Sequence, residues 1–209
     1  MTADLWETTV DHLAPGLTTH AYLWTPPGAG NVLFYSVATD RDLDDLAGLG
    51  GVAHQYLSHR DEAGPMLVEL HRRFDCQLHA PALEEHQIAP HRRPEVRFEA
   101  HEHDPNGVEI LPTPGHSPGS TCFVAQGAAG RYLFVGDTLY RSADGSWTAG
   151  YLPGISDADA LGASLDLLAE VEPDVVISSA FAGDAGSHQM HRGEWQRHLD
   201  EAHRGLHGA

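Results

Sequence analysis

Positive charge is scarce in this chain of 209 residues: lysine and arginine together number 12 against 30 aspartates and glutamates, a formal net charge of -18 with histidine neutral. A phosphate backbone or an anionic membrane surface is repelled overall by such a chain, so no nucleic-acid or membrane partner is expected. The pairs Arg72 with Arg73 and Arg92 with Arg93 are too short for a nucleic-acid track and suit a solvated surface, or a seat for one small anion. Cysteine is nearly absent as well. Cys76 and Cys122 stand alone, each in a segment expected to be a strand, which excludes a disulfide framework or a zinc knuckle and leaves buried thiols. No stretch approaches about 18 apolar residues, and the opening MTADLWETTV has neither a basic start nor a signal-length apolar run. Export and membrane spanning are therefore not expected, and a cytoplasmic protein is. Linkers and low-complexity segments are also missing, so a single domain over 1–209 is expected.

What is present reads as a globular, turn-rich chain, with 41% hydrophobic residues, 22 glycines and 13 prolines. The apolar run Asn31 to Val37 reads as a buried strand after a Pro-Pro-Gly turn. Asp40 is placed to cap a short helix through Leu49, and a strand over about Val52 to Leu57 delivers Ser58 and His59 at its carboxyl end. Met66, Leu67, Leu70 and Phe74 form the stripe of a helix starting at Pro65. Further strands are expected near Cys76 to Ala80, Val96 to Ala100, Val108 to Leu111, Thr121 to Ala125, Tyr132 to Val135 and Asp174 to Ser178. Leu161, Leu165, Leu168 and Val171 mark a helix capped by Ser156 or Asp157, and Trp195, Leu199, Ala202 and Leu206 mark a last amphipathic one. Periodicity alone gives α/β or α+β.

The motifs that carry chemistry are LPTPGHSPGST, which contains His116, and LFVGDTLY, which contains Asp137, preceded by YLSHRDEAG around His59. In this order they resemble the metallo-β-lactamase superfamily, over roughly Leu17 to Ser179. The resemblance implies an α+β fold, a four-layer αββα sandwich of two face-to-face sheets with helices outside and a metal site at one edge. It also implies that His59, His116 and Asp137 converge on a divalent metal, Zn first, Fe or Mn otherwise, for which imidazole and carboxylate are fitting donors. Read from the residues alone, each of the three also suits an ordinary turn, given the surrounding Gly and Pro.

The departures from the pattern matter equally. The family's leading His-x-His-x-Asp-His reads here His59, Arg60, Asp61, Glu62, Ala63, Gly64. Asp61 takes the place of the second His, where it can ligate the same ion or serve as the catalytic base; capping the following helix, or pairing with Arg60 or Arg92, is the alternative. Ala63 and Gly64 carry no ligand for a second metal, and the family's last His maps near Ala180, so one ion is expected. His188 or His191 from the following loop could replace that His, although a His-rich run is more often polar surface. Glu62, like Asp61, could accept a proton from a metal-bound water, although it alternates away from His59 and is then expected to face solvent. Tyr140, Trp147, Tyr151 and His79 fall in segments that the family places at the pocket rim, and Asn31 at a position that supports the fold.

The resemblance thus implies a metal-dependent hydrolase of a small ester, thioester or lactone, working through one metal-bound water with a pKa lowered toward about 7. Two alternatives stand beside it. The same three positions hold a single iron in the superfamily's persulfide dioxygenases, and two His with one carboxylate is a general non-haem Fe(II) arrangement. An inactive binding protein is the other. Nuclease and β-lactamase roles are disfavoured by the charge and by the missing ligands.

Overall fold

The computed structural model describes residues 2–14, 17–181 and 186–207, with short strands at the front of the chain and the longest helices at the back. In the first half, β1 (Leu5–Glu7), β2 (Asp11–Ala14), β3 (Leu17–Thr19), β4 (Tyr22–Trp24) and β5 (Val32–Phe34) precede helix α1 (Leu43–Gly48). There follow β6 (His54–Tyr56), α2 (Met66–Phe74), β7 (Gln77–Pro81), α3 (Glu85–Ile88) and β8 (Val96–Phe98). The second half runs β9 (Glu102–His103), β10 (Val108–Pro112), β11 (Thr121–Gly127), β12 (Gly130–Gly136), β13 (Leu139–Arg141) and β14 (Trp147–Ala149). It ends with α4 (Ala158–Leu168), β15 (Val175–Ser178), β16 (Ala180–Phe181), β17 (Ser187–Gln189) and α5 (Glu194–His207).

Two six-stranded sheets form, in the orders β1-β4-β5-β6-β7-β8 and β17-β15-β12-β11-β10-β9. Strands β5 to β8 pair in parallel, which obliges crossovers, and α1 and α2 supply the first two. The parallel β12–β15 pair is bridged likewise by α4. Between the sheets lies an aromatic core in which Phe34 stacks on Phe134 with ring centroids 3.7 Å apart. Outside the first sheet, Leu33 and Val52 meet Leu46 of α1 and Leu70 of α2. Outside the second, Leu133 and Val176 meet Leu165 of α4 and Leu199 of α5. The order of layers is helix, sheet, sheet, helix, as the motifs implied. Among the described residues, no helix is long and apolar enough to cross a membrane.

The helical stripes fall where their periodicity put them. Leu161, Leu165 and Leu168 of α4 and Trp195, Leu199, Ala202 and Leu206 of α5 are buried on one face each. Asp157 is the cap of α4, accepting the Ala160 N–H at 3.0 Å. Corrections fall at strand ends and caps. The expected strand from Asn31 to Val37 stops at Phe34, because Tyr35 turns to φ 71 and sends its hydroxyl to the other sheet. Asp40 caps nothing: a 3-10 turn, Asp40–Asp42, leads into α1, and Thr39 before it makes no side-chain cap bond. Cys76 lies just ahead of β7 rather than inside it; both thiols are free and buried. Asn31 supports the fold as expected, its amide donating to the carbonyls of Leu49 and Gly51.

Candidate metal centre

His59 sits where β6 has ended and a 3-10 turn, Arg60–Glu62, begins. That turn decides the site's first half. An extended chain would carry Glu62 away from His59, but the tight turn folds its carboxylate back under the strand end. Glu62 accepts the Ser58 N–H at 2.7 Å and the Ser58 hydroxyl, and lies 3.3 Å from His59 Nδ1. Its side chain is 8% exposed, so the expectation that it faces solvent is overturned. Ser58 Oγ also lies 2.9 Å from His59 Nδ1. With Nδ1 engaged by this pair, Nε2 is the nitrogen turned to the cavity.

The second imidazole is set by backbone. Gly115, at φ 137, passes so close to α4 that a Cβ would lie 2.4 Å from the Leu161 Cα. His116 Nδ1 lies 2.7 Å from the Gly150 carbonyl, an oxygen that can only accept, so Nδ1 carries the proton and the neutral ring keeps its lone pair at Nε2. The loop beyond is held by Glu84, fully buried, which accepts from the Ser117 hydroxyl at 2.8 Å and the Gly119 N–H at 2.6 Å. Arg60 faces the other Glu84 oxygen at 3.7 Å and acts on Asp61 through its charge, as the weakest of the influences that lower the Asp61 pKa.

Asp137 follows β12, and one of its carboxylate oxygens is bound by the Ser179 hydroxyl at the end of β15. Its other oxygen lies 3.3 Å from His59 Nε2 and 3.8 Å from His116 Nε2. The donor atoms of His59, His116 and Asp137 all fall within 4.8 Å of one another. Asp61, more exposed, stands over the pair at 3.7 Å from His116 Nε2 and 3.9 Å from His59 Nε2. Among the described residues, neither of these buried Nε2 atoms has a hydrogen-bond partner of sound geometry. Leaving such an atom unsatisfied costs about 1–3 kcal/mol. A cation between the donors relieves both, so this donor set fits a divalent metal ion.

The electrostatics agree. Burial works against charge on His59, but Asp137 and then Glu62 outweigh it and raise its pKa well above the ordinary imidazole value. Burial equally opposes ionisation of Asp137, yet His59 and His116 hold its carboxyl well below the usual range. Asp61 is lowered, first by its contact with His116. Two carboxylates and two imidazoles thus attract positive charge to one point.

Around this point lies a cavity of about 610 Å³. Ala63, Gly64 and Ala180, the positions expected to lack ligands, line it, as do Tyr140 and Tyr151. Trp147 and His79 do not. Trp147 is buried beneath α5, and His79 stacks on Tyr56 at 4.1 Å with its Nε2 3.1 Å from His54. His188 is placed by β17 opposite Val176 with its ring 5.3 Å from Trp147, and His191 is exposed; neither lines the cavity. A separate exposed group, His101, His103 and Glu109, also brings three donors within 4.8 Å, with Arg131 3.2 Å from the same Glu109. Sequence reasoning missed Glu84, Ser179 and the role of Glu62; only the i, i+4 spacing of Ser58 and Glu62 hinted at the last.

Comparison with known proteins accords with the geometry. A family model described as the metallo-beta-lactamase superfamily matches residues 41–180. Among solved structures, a metallo-beta-lactamase from Pontibacter korlensis is 16% identical with a TM-score of 0.76, over 100% of this chain and 97% of that one. The metallo-beta-lactamase FIM-1 from Pseudomonas aeruginosa, in a mono-zinc form, is 13% identical with a TM-score of 0.74, over 100% and 93%. At these identities the likeness is one of fold. No curated protein sequence matches. Matched by the family model over more than half its length, with its His59, His116 and Asp137 brought together at the sheet edge, the chain belongs to the metallo-β-lactamase superfamily.

Proposed function

We propose that this protein is a hydrolase of a small ester, thioester or lactone that works with one divalent metal ion, zinc, held by His59, His116 and Asp137. The observation that carries the reading is the pair of buried Nε2 atoms, neither in a hydrogen bond of sound geometry among the described residues, that face the Asp137 carboxylate on the wall of the cavity. Ala63, Gly64 and Ala180 offer nothing to a second ion, which supports one metal rather than two. A bound divalent ion would supply Lewis acidity, polarising a carbonyl oxygen and lowering the pKa of water toward about 7.

The chain's own residues do the rest. Ser58 and Glu62 fix the ring of His59, and the Gly150 carbonyl fixes that of His116, so both imidazoles present Nε2 without reorganisation. Ser179 holds Asp137 in its place. Asp61, half exposed above the imidazoles, joins the ligands or accepts the proton of the attacking water. The partner is a small molecule; the net charge of -18 opposes nucleic acid.

The test is elemental analysis of the purified protein in a His101→Ala, His103→Ala background, so that ions taken by the exposed group are not counted. About one Zn per chain, lost on His59→Ala with His116→Ala, is expected together with ester hydrolysis. About one Fe with oxygen uptake moves a dioxygenase ahead, two ions lost together overturn the single-ion reading, and no metal after supplementation leaves a binding role.

A further inference from the structure

The cavity's wall is chemically one-sided. Among the described residues, its carboxylates are Asp61, Glu62 and Asp137, and no lysine or arginine lines it. The chain contains no lysine at all. The arginines nearest in sequence pair outside the lining: Arg60 with Glu84 at 3.7 Å, its charge also felt by Asp61, Arg41 with Asp11 at 3.7 Å, and Arg141 with the Gly145 carbonyl at 3.0 Å. His20, which also lines the wall, turns Nδ1 toward Glu7 and the Thr8 carbonyl. A substrate bearing a carboxylate, sulfate or phosphate away from its scissile bond, and so away from the proposed ion, finds no lysine or arginine among the described lining residues and loses hydration against the apolar part of the wall.

The same wall is apolar where a second ion's ligands would stand. Ala63 and Gly64 continue into Pro65 and Met66 on one side, while Tyr151 and Leu152 lie among the other lining residues. Leu152 is 41% exposed and forms an apolar lip to the opening. A Cβ built on Gly64 meets nothing within 4 Å, so the space beside it is open. A volume of about 610 Å³ exceeds what an acetyl group fills and suits a chain of several methylenes.

We infer that the cavity selects neutral acyl substrates with an extended apolar chain, which lies along Ala63, Gly64 and Met66, and rejects substrates with a distal negative charge. This rests on the hydrolase reading for its chemistry, but the cavity's preference is measurable without turnover.

The experiment compares kcat/KM for 4-nitrophenyl esters from acetate to decanoate with the hemisuccinate and its neutral isostere, 4-methylpentanoate. Roughly a two- to fourfold rise per methylene is expected up to the cavity's length, with the hemisuccinate at least tenfold below its isostere. Gly64→Phe, which fills open space, should lower the octanoate-to-acetate ratio at least tenfold. In parallel, calorimetry with octanamide and acetamide reads the cavity directly: octanamide should bind the wild-type protein more tightly than acetamide and lose that advantage in Gly64→Phe. Octanamide binding without turnover of any ester would sink the hydrolase reading and keep the inference. Turnover indifferent to chain length, a hemisuccinate as good as its isostere, or no preference for octanamide would overturn it.

Discussion

His59 presents Nε2 to the cavity only because Ser58 and Glu62 occupy its Nδ1. Second partners of this kind commonly change metal affinity by about 10- to 100-fold when altered. Glu62→Gln keeps the side chain's shape and an acceptor for Ser58 while removing the charge. About tenfold weaker Zn binding is expected in a competition titration with a chromophoric chelator, with little change in melting temperature; unaltered affinity would mean that Ser58 alone sets the ring. The three metal candidates were legible in the sequence because each stands at a strand end inside a Gly- or Pro-marked loop, and the loops come in a telling order. Glu62 was not, because its position depends on whether the chain after His59 stays extended or turns, and alternation assumes the former. Glu84 was hidden for a different reason. It reaches the Ser117 and Gly119 loop from 33 and 35 residues away, a distance no local pattern encodes.

At the scale of elements, the amino-terminal end of α4 and the His116 loop act as one unit. Asp157 donates its N–H to the Gly115 carbonyl at 2.8 Å and caps the helix with its side chain, while Ser156 Oγ donates to the His116 carbonyl at 2.8 Å. Ser164 adds a bond to the Pro114 carbonyl from within the helix. Asp157→Ala removes one cap bond at an exposed site, and a loss of about 1 kcal/mol is expected, read as a lower urea midpoint at unchanged slope. A neutral result would mean that water replaces the carboxylate at no cost. Helices α4 and α5 were visible beforehand since their apolar stripes repeat over at least two turns. Strands β1, β3 and β4 were not: each spans three residues, too few for alternation to register without a longer apolar run around them.

Across the whole molecule, the two sheets meet at polar points at both ends: Asp4, beside β1, accepts from Tyr132 and the Ala128 N–H at one, and the others lie at the edge of the proposed metal ligands. Tyr35, from the first sheet, donates its hydroxyl to the Ile177 carbonyl at 2.8 Å and accepts the Gly136 N–H at 2.9 Å, one residue before Asp137. Thr121 of the second sheet donates its N–H to the Ser58 carbonyl at 3.0 Å, one residue before His59. His59 thus belongs to the end of the first sheet, and His116 and Asp137 to the second. An ion shared by the three is a cross-link between the sheets, formed only in the folded chain, so its binding adds to stability by mass action. With free Zn about 1,000-fold above its dissociation constant the gain is about 4 kcal/mol, or roughly 8–16 °C in melting temperature for a chain of this size. Removing the ion with a chelator should lower the melting temperature by that order in the wild-type protein and by far less in His59→Ala with His116→Ala. The opposite pattern, a wild-type melting temperature indifferent to the chelator, would mean that the aromatic core and the Tyr35 bridge hold the sheets together unaided and that no ion spans them.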